Sequence, residues 1–467
     1  MKRKWWIVGV LAALELAVCT GIIVLLWSGR SRLDRVRFFY VSDTYVEDTI
    51  EKTFSVDGPA ILDVDVAADD VTVTGGAAGE IRVVAWLHLW GEDEQDAREQ
   101  IEVKMTQEGN RVIIRVEYVP QITVFTINRG SYVDLEIQVP DDTKLLVAAS
   151  SGDVAVGDVV GSADLGTTSG SLTVERFDGA MKANASSGDV SLRSVTNAGD
   201  MAVEATAGRI TLKDIDADTA TINGSSGDVT LTSLEAAGDV TIGTTSGHVR
   251  LQELDGANLV VDVSSGGANL DDLNMAGDVD IETSSGNVVM DGFAAASLKI
   301  RGSSSRIEVS DGVIGGMLDL ENTSSRVSAV GVEAASYRLV SSSGDVFLDG
   351  CSGLLNLRTT AGTIKVENAS AAHLEIETSS GGVTFAGSLA TEGASSVKST
   401  AGNVRLTLPS DSAFDVDIAT TSGSISTDFV VGMTTIDEDR VVGPVNDGGA
   451  LLEIKTSSGD VTLSSVD

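Results

Sequence analysis

Ser225-Ser-Gly-Asp-Val-Thr-Leu-Thr-Ser-Leu234 is followed twenty residues later by Thr245-Ser-Gly-His-Val-Arg-Leu-Gln-Glu-Leu254. Each segment sets a triplet of small residues before a short apolar alternation, and the triplet recurs along most of the chain. Its third member stands at 152, 170, 188, 208, 227, 247, 266, 286, 305, 325, 344, 362, 381, 402, 423 and 459, with serine replacing glycine at 305 and 325. The steps are 18 to 21 residues until the last, which is 36. Self-similarity at such a period marks a solenoid.

Aligning the copies exposes the core. Two positions after the third triplet residue stand Val154, Leu172, Val190, Ile210, Val229 and Val249, and two further on Val156, Val174, Leu192, Leu212, Leu231 and Leu251. Before the triplet, at five and seven positions, stand pairs such as Val147 with Leu145, Ile242 with Val240, and Ile454 with Leu452. A third row, seven positions after it, holds Phe177, Leu234, Leu254, Leu273, Phe293 and Cys351. Each turn therefore contains two short strands with alternating inward and outward side chains. The few aliphatics of one turn cannot offset the entropy of ordering it, so turns must stack and cover one another. The expected fold is all-β: a single-stranded β-helix of about 19 residues per turn and about 16 turns.

The polar rows read as turn chemistry. Ser226-Gly227 and Ser458-Gly459 resemble fragments of a hydrolase elbow, but a nucleophile needs one base and one oxyanion pocket, not sixteen copies. The Ser/Thr of the triplet are assigned to corner hydrogen bonding and its Gly to positive-φ backbone. The residue after it reads Asp153, Ser171, Asp189, Arg209, Asp228, His248, Gly267, Asn287, Arg306, Arg326, Asp345 and Thr363. No two consecutive turns carry Asp, which argues against a calcium ladder. His88, His248 and His373 lack metal-ligand spacing, and Cys351 falls on the inward row. No catalytic, cofactor-binding or metal-ligating residue is assigned.

Composition narrows the partners. Of 467 residues 50 are Gly and only 4% are aromatic, and the formal net charge is −37. That charge excludes nucleic acid as a partner, because binding it requires Lys and Arg at the interface. Two cysteines, Cys19 and Cys351, make no disulfide framework.

At the N-terminus, Lys2, Arg3 and Lys4 precede a mostly apolar run from Trp5 to Trp27, long enough to span roughly 30 Å of hydrocarbon. It predicts one transmembrane helix and hence a membrane partner, with Trp5, Trp6 and Trp27 at the headgroups. A cleaved signal and a lipoprotein box at Leu16-Ala-Val-Cys19 are the weighed rivals. The expected order is a cytoplasmic N-terminus over 1–4, a membrane helix over 5–27, a juxtamembrane linker over 28–55, a β-rich cap over 56–140 and the solenoid over 141–467. Within the cap, Glu92 to Met105 reads as a short acidic helix. An insertion at about 428–450 either binds a partner or covers the open end of the rod.

Val133-Asp-Leu-Glu-Ile-Gln-Val-Pro140 leading into Leu145 to Val156, the repeated Ser-Ser-Gly-Asp-Val strands, and Leu406-Thr-Leu-Pro409 leading into Thr421-Ser-Gly-Ser-Ile-Ser-Thr427 resemble one bacterial family. It is the β-strand-repeat "putative adhesin" group, related to the head domain of autotransporter-like adhesins. The resemblance covers about residues 56–467, implies a right-handed β-helix on an envelope-anchored bacterial protein, and brings no catalytic motif. The resulting expectation is a single-pass bacterial membrane protein whose extracytoplasmic body is an adhesin-like or envelope-structural surface for a protein or glycan. Two alternatives stand beside it. One is a cytoplasmic-side scaffold that self-associates through solenoid ends; the other is a polysaccharide-binding or polysaccharide-acting β-helix.

Overall fold

The computed structural model describes residues 36–467, apart from 77–78, 120–121, 128–129, 433–434 and 437–438. Two compact units divide the chain. One comprises the described residues up to Glu51 with Val84–Lys104 and Arg115–Asp134, and the other Lys52–Val83, Met105–Ile114 and Leu135–Asp467.

The second unit is an all-β solenoid. Val229–Ala236 lies parallel between Ile210–Ala217 and Val249–Gly256, and Val229, Leu231 and Leu234 each stand opposite the equivalent residue of both neighbouring turns. Val240–Thr244 is flanked in the same way by Thr219–Gly224 and Leu259–Val263. The rows expected inward are inward: Val229, Leu231, Leu234, Ile242, Phe177 and Cys351 are all buried. Aliphatic side chains thus stack on their own kind from turn to turn, while parallel ladders satisfy the backbone.

The third inward row depends on a feature that the apolar pattern does not reveal. Leu231 and Leu234 both face inward although they are three residues apart, which a strand of period two forbids. Ser233 between them has φ 58°, and its equivalents Asp214, Glu253, Asp272 and Gly292 have φ 55°, 57°, 53° and 62°. One left-handed residue per turn reverses the alternation, and the ladder pairs skip it. The triplet glycines, expected at positive φ, are not among the positive-φ residues. Their requirement is space: a Cβ on Gly227 would lie 1.8 Å from the carbonyl oxygen of Gly208, and one on Gly188 would lie 1.6 Å from that of Gly170. Successive corners pile backbone on backbone.

About 14 turns stack in chain order, from Thr143–Ala149 to Ala394–Ala401, and then the order breaks. Leu451–Ser458 inserts between Ala394–Ala401 and Phe414–Ser422, and Val461–Val466 between Val404–Pro409 and Ile425–Thr427. The final turn in sequence is therefore the penultimate turn in space. Simple succession, as read from the triplets, is corrected here. The detour is made by the insertion, whose strand Arg440–Val445 runs antiparallel along Phe414–Ser422. Phe429 sets its ring edge-on to Phe414 at 5.6 Å, and Arg440 pairs with Asp417. The insertion thus lies along an edge that would otherwise accept strands, as a cover would. At the other end, Ala60–Val66 and Val71–Gly75 already form a rung against Thr143–Ala149 and Val154–Thr167.

In the first unit, Val36–Val41 pairs in parallel with Ile122–Ile127. Its helix is shorter than the expected span of Glu92 to Met105: only Glu94–Arg98 is helical, capped by Asp93, whose carboxylate accepts the Asp96 amide at 2.8 Å. Ile101–Glu108 is a strand instead, since Ile101, Val103 and Met105 alternate with polar residues. The expected fold class is corrected in one further respect. Among the described residues no helix is long and apolar enough to cross a membrane. A five-residue helix spans only about 8 Å, against roughly 30 Å of hydrocarbon. The run from Trp5 to Trp27, on which the transmembrane reading rested, lies outside the described residues.

Candidate binding face

The repeated polar residues divide between those that face solvent and those that the fold uses. At Ser225 and Ser226 the triplet side chains face solvent, and it is the backbone that bonds: their amides donate to the carbonyls of Ala205 and Thr206 one turn back, and the Ser225 carbonyl accepts the Ser246 amide of the next turn. The corner hydroxyl that does bond is one position earlier than the triplet. Thr244 Oγ1 accepts the Gly247 amide at 3.1 Å, and Thr167 and Ser341 do the same for Gly170 and Gly344. Thr167 and Thr359 also donate to the glycine carbonyl of the preceding turn, at 3.2 and 3.0 Å. These hydroxyls are buried, so each satisfies backbone groups that water cannot reach.

The acidic row has a comparable role. Asp153, Asp189, Asp228 and Asp345 each accept the amide of the equivalent residue in the next turn, at 2.7 to 3.0 Å. That bond, first among its causes, holds the Asp228 and Asp345 carboxyls below the usual carboxylate range. Other acids pair sideways with the turn above: Asn258 donates to Asp239 at 2.8 Å, Asn274 to Asp255 at 2.6 Å and Ser297 to Asp278 at 2.6 Å. Among the described residues no three His, Cys, Asp or Glu side chains gather as metal ligands. Each of these Asp carboxylates is thus met in the next turn by a backbone N–H, an amide side chain or a hydroxyl.

Cys351 is free and buried, and burial foremost, with Asp349 nearby, pushes its thiol up to about 12. His248 accepts the Gly267 amide on Nδ1 at 3.1 Å, in the row otherwise held by Asp. His373 lies against Gly393, where an added Cβ would meet its ring.

His88 is different, because it sits at the centre of an aromatic face in the first unit. Along Glu80–Gly91 the alternation turns Trp86, His88 and Trp90 to one side, away from buried Leu87 and Leu89. The His88 ring stacks on Tyr132 at 4.5 Å, and Tyr45 lies 4.7 Å from Trp90. The Tyr45 hydroxyl donates to Glu47 at 2.7 Å, and that bond above all pushes its ionisation up to about 12. The same hydroxyl lies 2.8 Å from His88 Nδ1, which ties the phenol to the imidazole. His88 Nε2 lies 3.4 Å from Asp134. Tyr45, Trp86 and Tyr132 are 42–44% exposed, so ring faces and carboxylates share one accessible surface. Sequence reading missed this face because its aromatics come from three distant segments; the alternation of Trp86, His88 and Trp90 was the available signal.

A sequence profile for the Toastrack DUF4097 family matches residues 61–293 and 291–464. No protein of curated function matches the chain. Solved structures similar to it include a "putative adhesin" from Bacteroides fragilis, 12% identical with a TM-score of 0.28, covering 56% of this chain and 97% of that one. Another "putative adhesin", from Parabacteroides distasonis, is 14% identical with a TM-score of 0.22, covering 70% and 99%. A "putative lipid binding protein" from the same species is 9% identical with a TM-score of 0.21, covering 71% and 99%. At such TM-scores these likenesses carry no weight for function. The family resemblance read from the strand repeats is met by the profile, whose two matches run nearly end to end over the solenoid: the chain belongs to the Toastrack DUF4097 family.

Proposed function

We propose that this protein is an adhesin-like binding module, without catalysis of its own, that holds a neutral glycan on the face formed by Tyr45, Trp86, His88, Trp90 and Tyr132. The carrying observation is the concentration of exposed rings beside carboxylates in a chain otherwise poor in aromatics. Pyranose rings present C–H faces to aromatic planes and hydroxyls to acceptors, and Glu47 and Asp134 supply acceptors at the rim of this face. In the solenoid, by contrast, the buried corner hydroxyls and the Asp153, Asp189, Asp228 and Asp345 carboxylates are engaged in holding turns together. A module of this kind works on the outside of the bacterial cell, so the body is proposed to be extracytoplasmic.

Screening the full chain against a panel of envelope and host oligosaccharides, followed by calorimetric titration, tests the reading. Trp86→Ala and Tyr132→Ala are expected to weaken the best ligand about tenfold each, the value of one aromatic stacking contact, with unchanged melting. Absence of any glycan ligand, or indifference of binding to both variants, overturns it. Stacking of whole rods end to end is the less supported alternative, since one terminal rung is already covered by Arg440–Val445.

A further inference from the structure

Two departures from the repeat coincide. Serine replaces the triplet glycine at Ser305 and Ser325, and the very next residues, Arg306 and Arg326, are the one place in the aligned acidic row where arginines occupy consecutive turns. The two guanidinium-bearing residues line an open cleft of about 490 Å³ together with Asn287, Ser324, Ser343 and Asp345. In the rest of this row a carboxylate repeatedly accepts the amide of the next turn, as Asp189 does for Arg209 and Asp345 for Thr363. Here Asn287 accepts the Arg306 amide at 3.2 Å, and the two following positions of the row carry cations in place of carboxylates.

The cations are only lightly engaged. Arg306 makes a loose 3.7 Å contact with Glu308 and is 58% exposed, and Arg326 has no carboxylate within ion-pair distance among the described residues. Arg326 instead lies over the Phe347 ring at 5.1 Å, with Lys365 at 5.4 Å from the same ring. Two guanidinium-bearing residues on consecutive turns of one cleft suit a planar carboxylate. We infer that this cleft binds the carboxylate of an acidic saccharide. Serine hydroxyls and the Asn287 amide match a polyol better than an apolar peptide side chain, and the chain's formal net charge of −37 favours a short or sparsely charged sugar over a dense polyanion.

This site belongs to the solenoid and is independent of the aromatic face. Titrating the full chain at low salt with trigalacturonate, its methyl ester and a hexaglutamate peptide tests it. Trigalacturonate is expected to bind, its ester not to, and Arg306→Ala or Arg326→Ala to weaken binding about tenfold or more, as loss of a charged hydrogen bond does. Both variants are expected to melt as the parent does, and Trp86→Ala is expected to leave uronate binding intact. The inference is overturned if trigalacturonate does not bind, if the ester binds equally, or if neither arginine variant changes affinity. Preferential binding of hexaglutamate also overturns it, by assigning the cleft to an acidic protein partner.

Discussion

At the scale of the residue, glycine and the left-handed residue divide the labour of each turn. The triplet glycine is needed because the preceding corner's carbonyl occupies the place of a Cβ, whereas the left-handed position accepts Asp, Ser, Glu, Arg or Gly. Substitution of a triplet glycine and of a strand glycine that has room for a methyl group should therefore differ sharply. Gly227→Ala drives a methyl group into the Gly208 carbonyl and is expected to destabilise by about 3 kcal/mol or more, by analogy with overpacked cores. Gly166→Ala, which meets nothing within 4 Å, is expected to change stability by about 0.5 kcal/mol or less. Chemical denaturation of the two variants measures both, and equal losses would show that the corners are not in contact.

Among the elements, the last turn stands apart, because both its strands are flanked on each side by segments that precede them in sequence. Leu451–Ser458 and Val461–Val466 can dock only beside rungs whose partners are Ala394–Ala401, Val404–Pro409, Phe414–Ser422 and Ile425–Thr427. Deleting residues 451–466 leaves parallel edges facing an empty layer, and such edges recruit other strands. The deleted chain is expected to aggregate or to lose the 410–450 region to proteolysis, while Val154–Thr167 and its neighbours remain protected. Hydrogen exchange and light scattering read the two effects. Full protection of 414–427 after deletion would contradict the interleaved order.

On the scale of the whole molecule, parallel stacking makes stability a sum over neighbouring turns, with closure required at the ends. The proposed role places the solenoid outside the cell, where a bound surface must be reachable. Protease added to intact cells is expected to cleave the body, and complete protection until lysis would refute an extracytoplasmic location.

The sequence by itself determined the solenoid, its period and its inward rows, because every apolar layer covers an identical layer one turn away and the periodicity is written sixteen times. Val229, Leu231 and Leu234 could be assigned inward by alignment alone, although the left-handed Ser233 that permits the third was invisible. Only the tertiary structure decided the order of the last turns, since the triplets around Gly423 and Gly459 look alike and either layer could precede the other. It alone assembled Tyr45, His88, Trp90 and Tyr132, because nothing periodic links residues that distant strands bring together. Local repetition encodes what neighbours share; contacts made once leave no such record and are set by how the chain returns on itself.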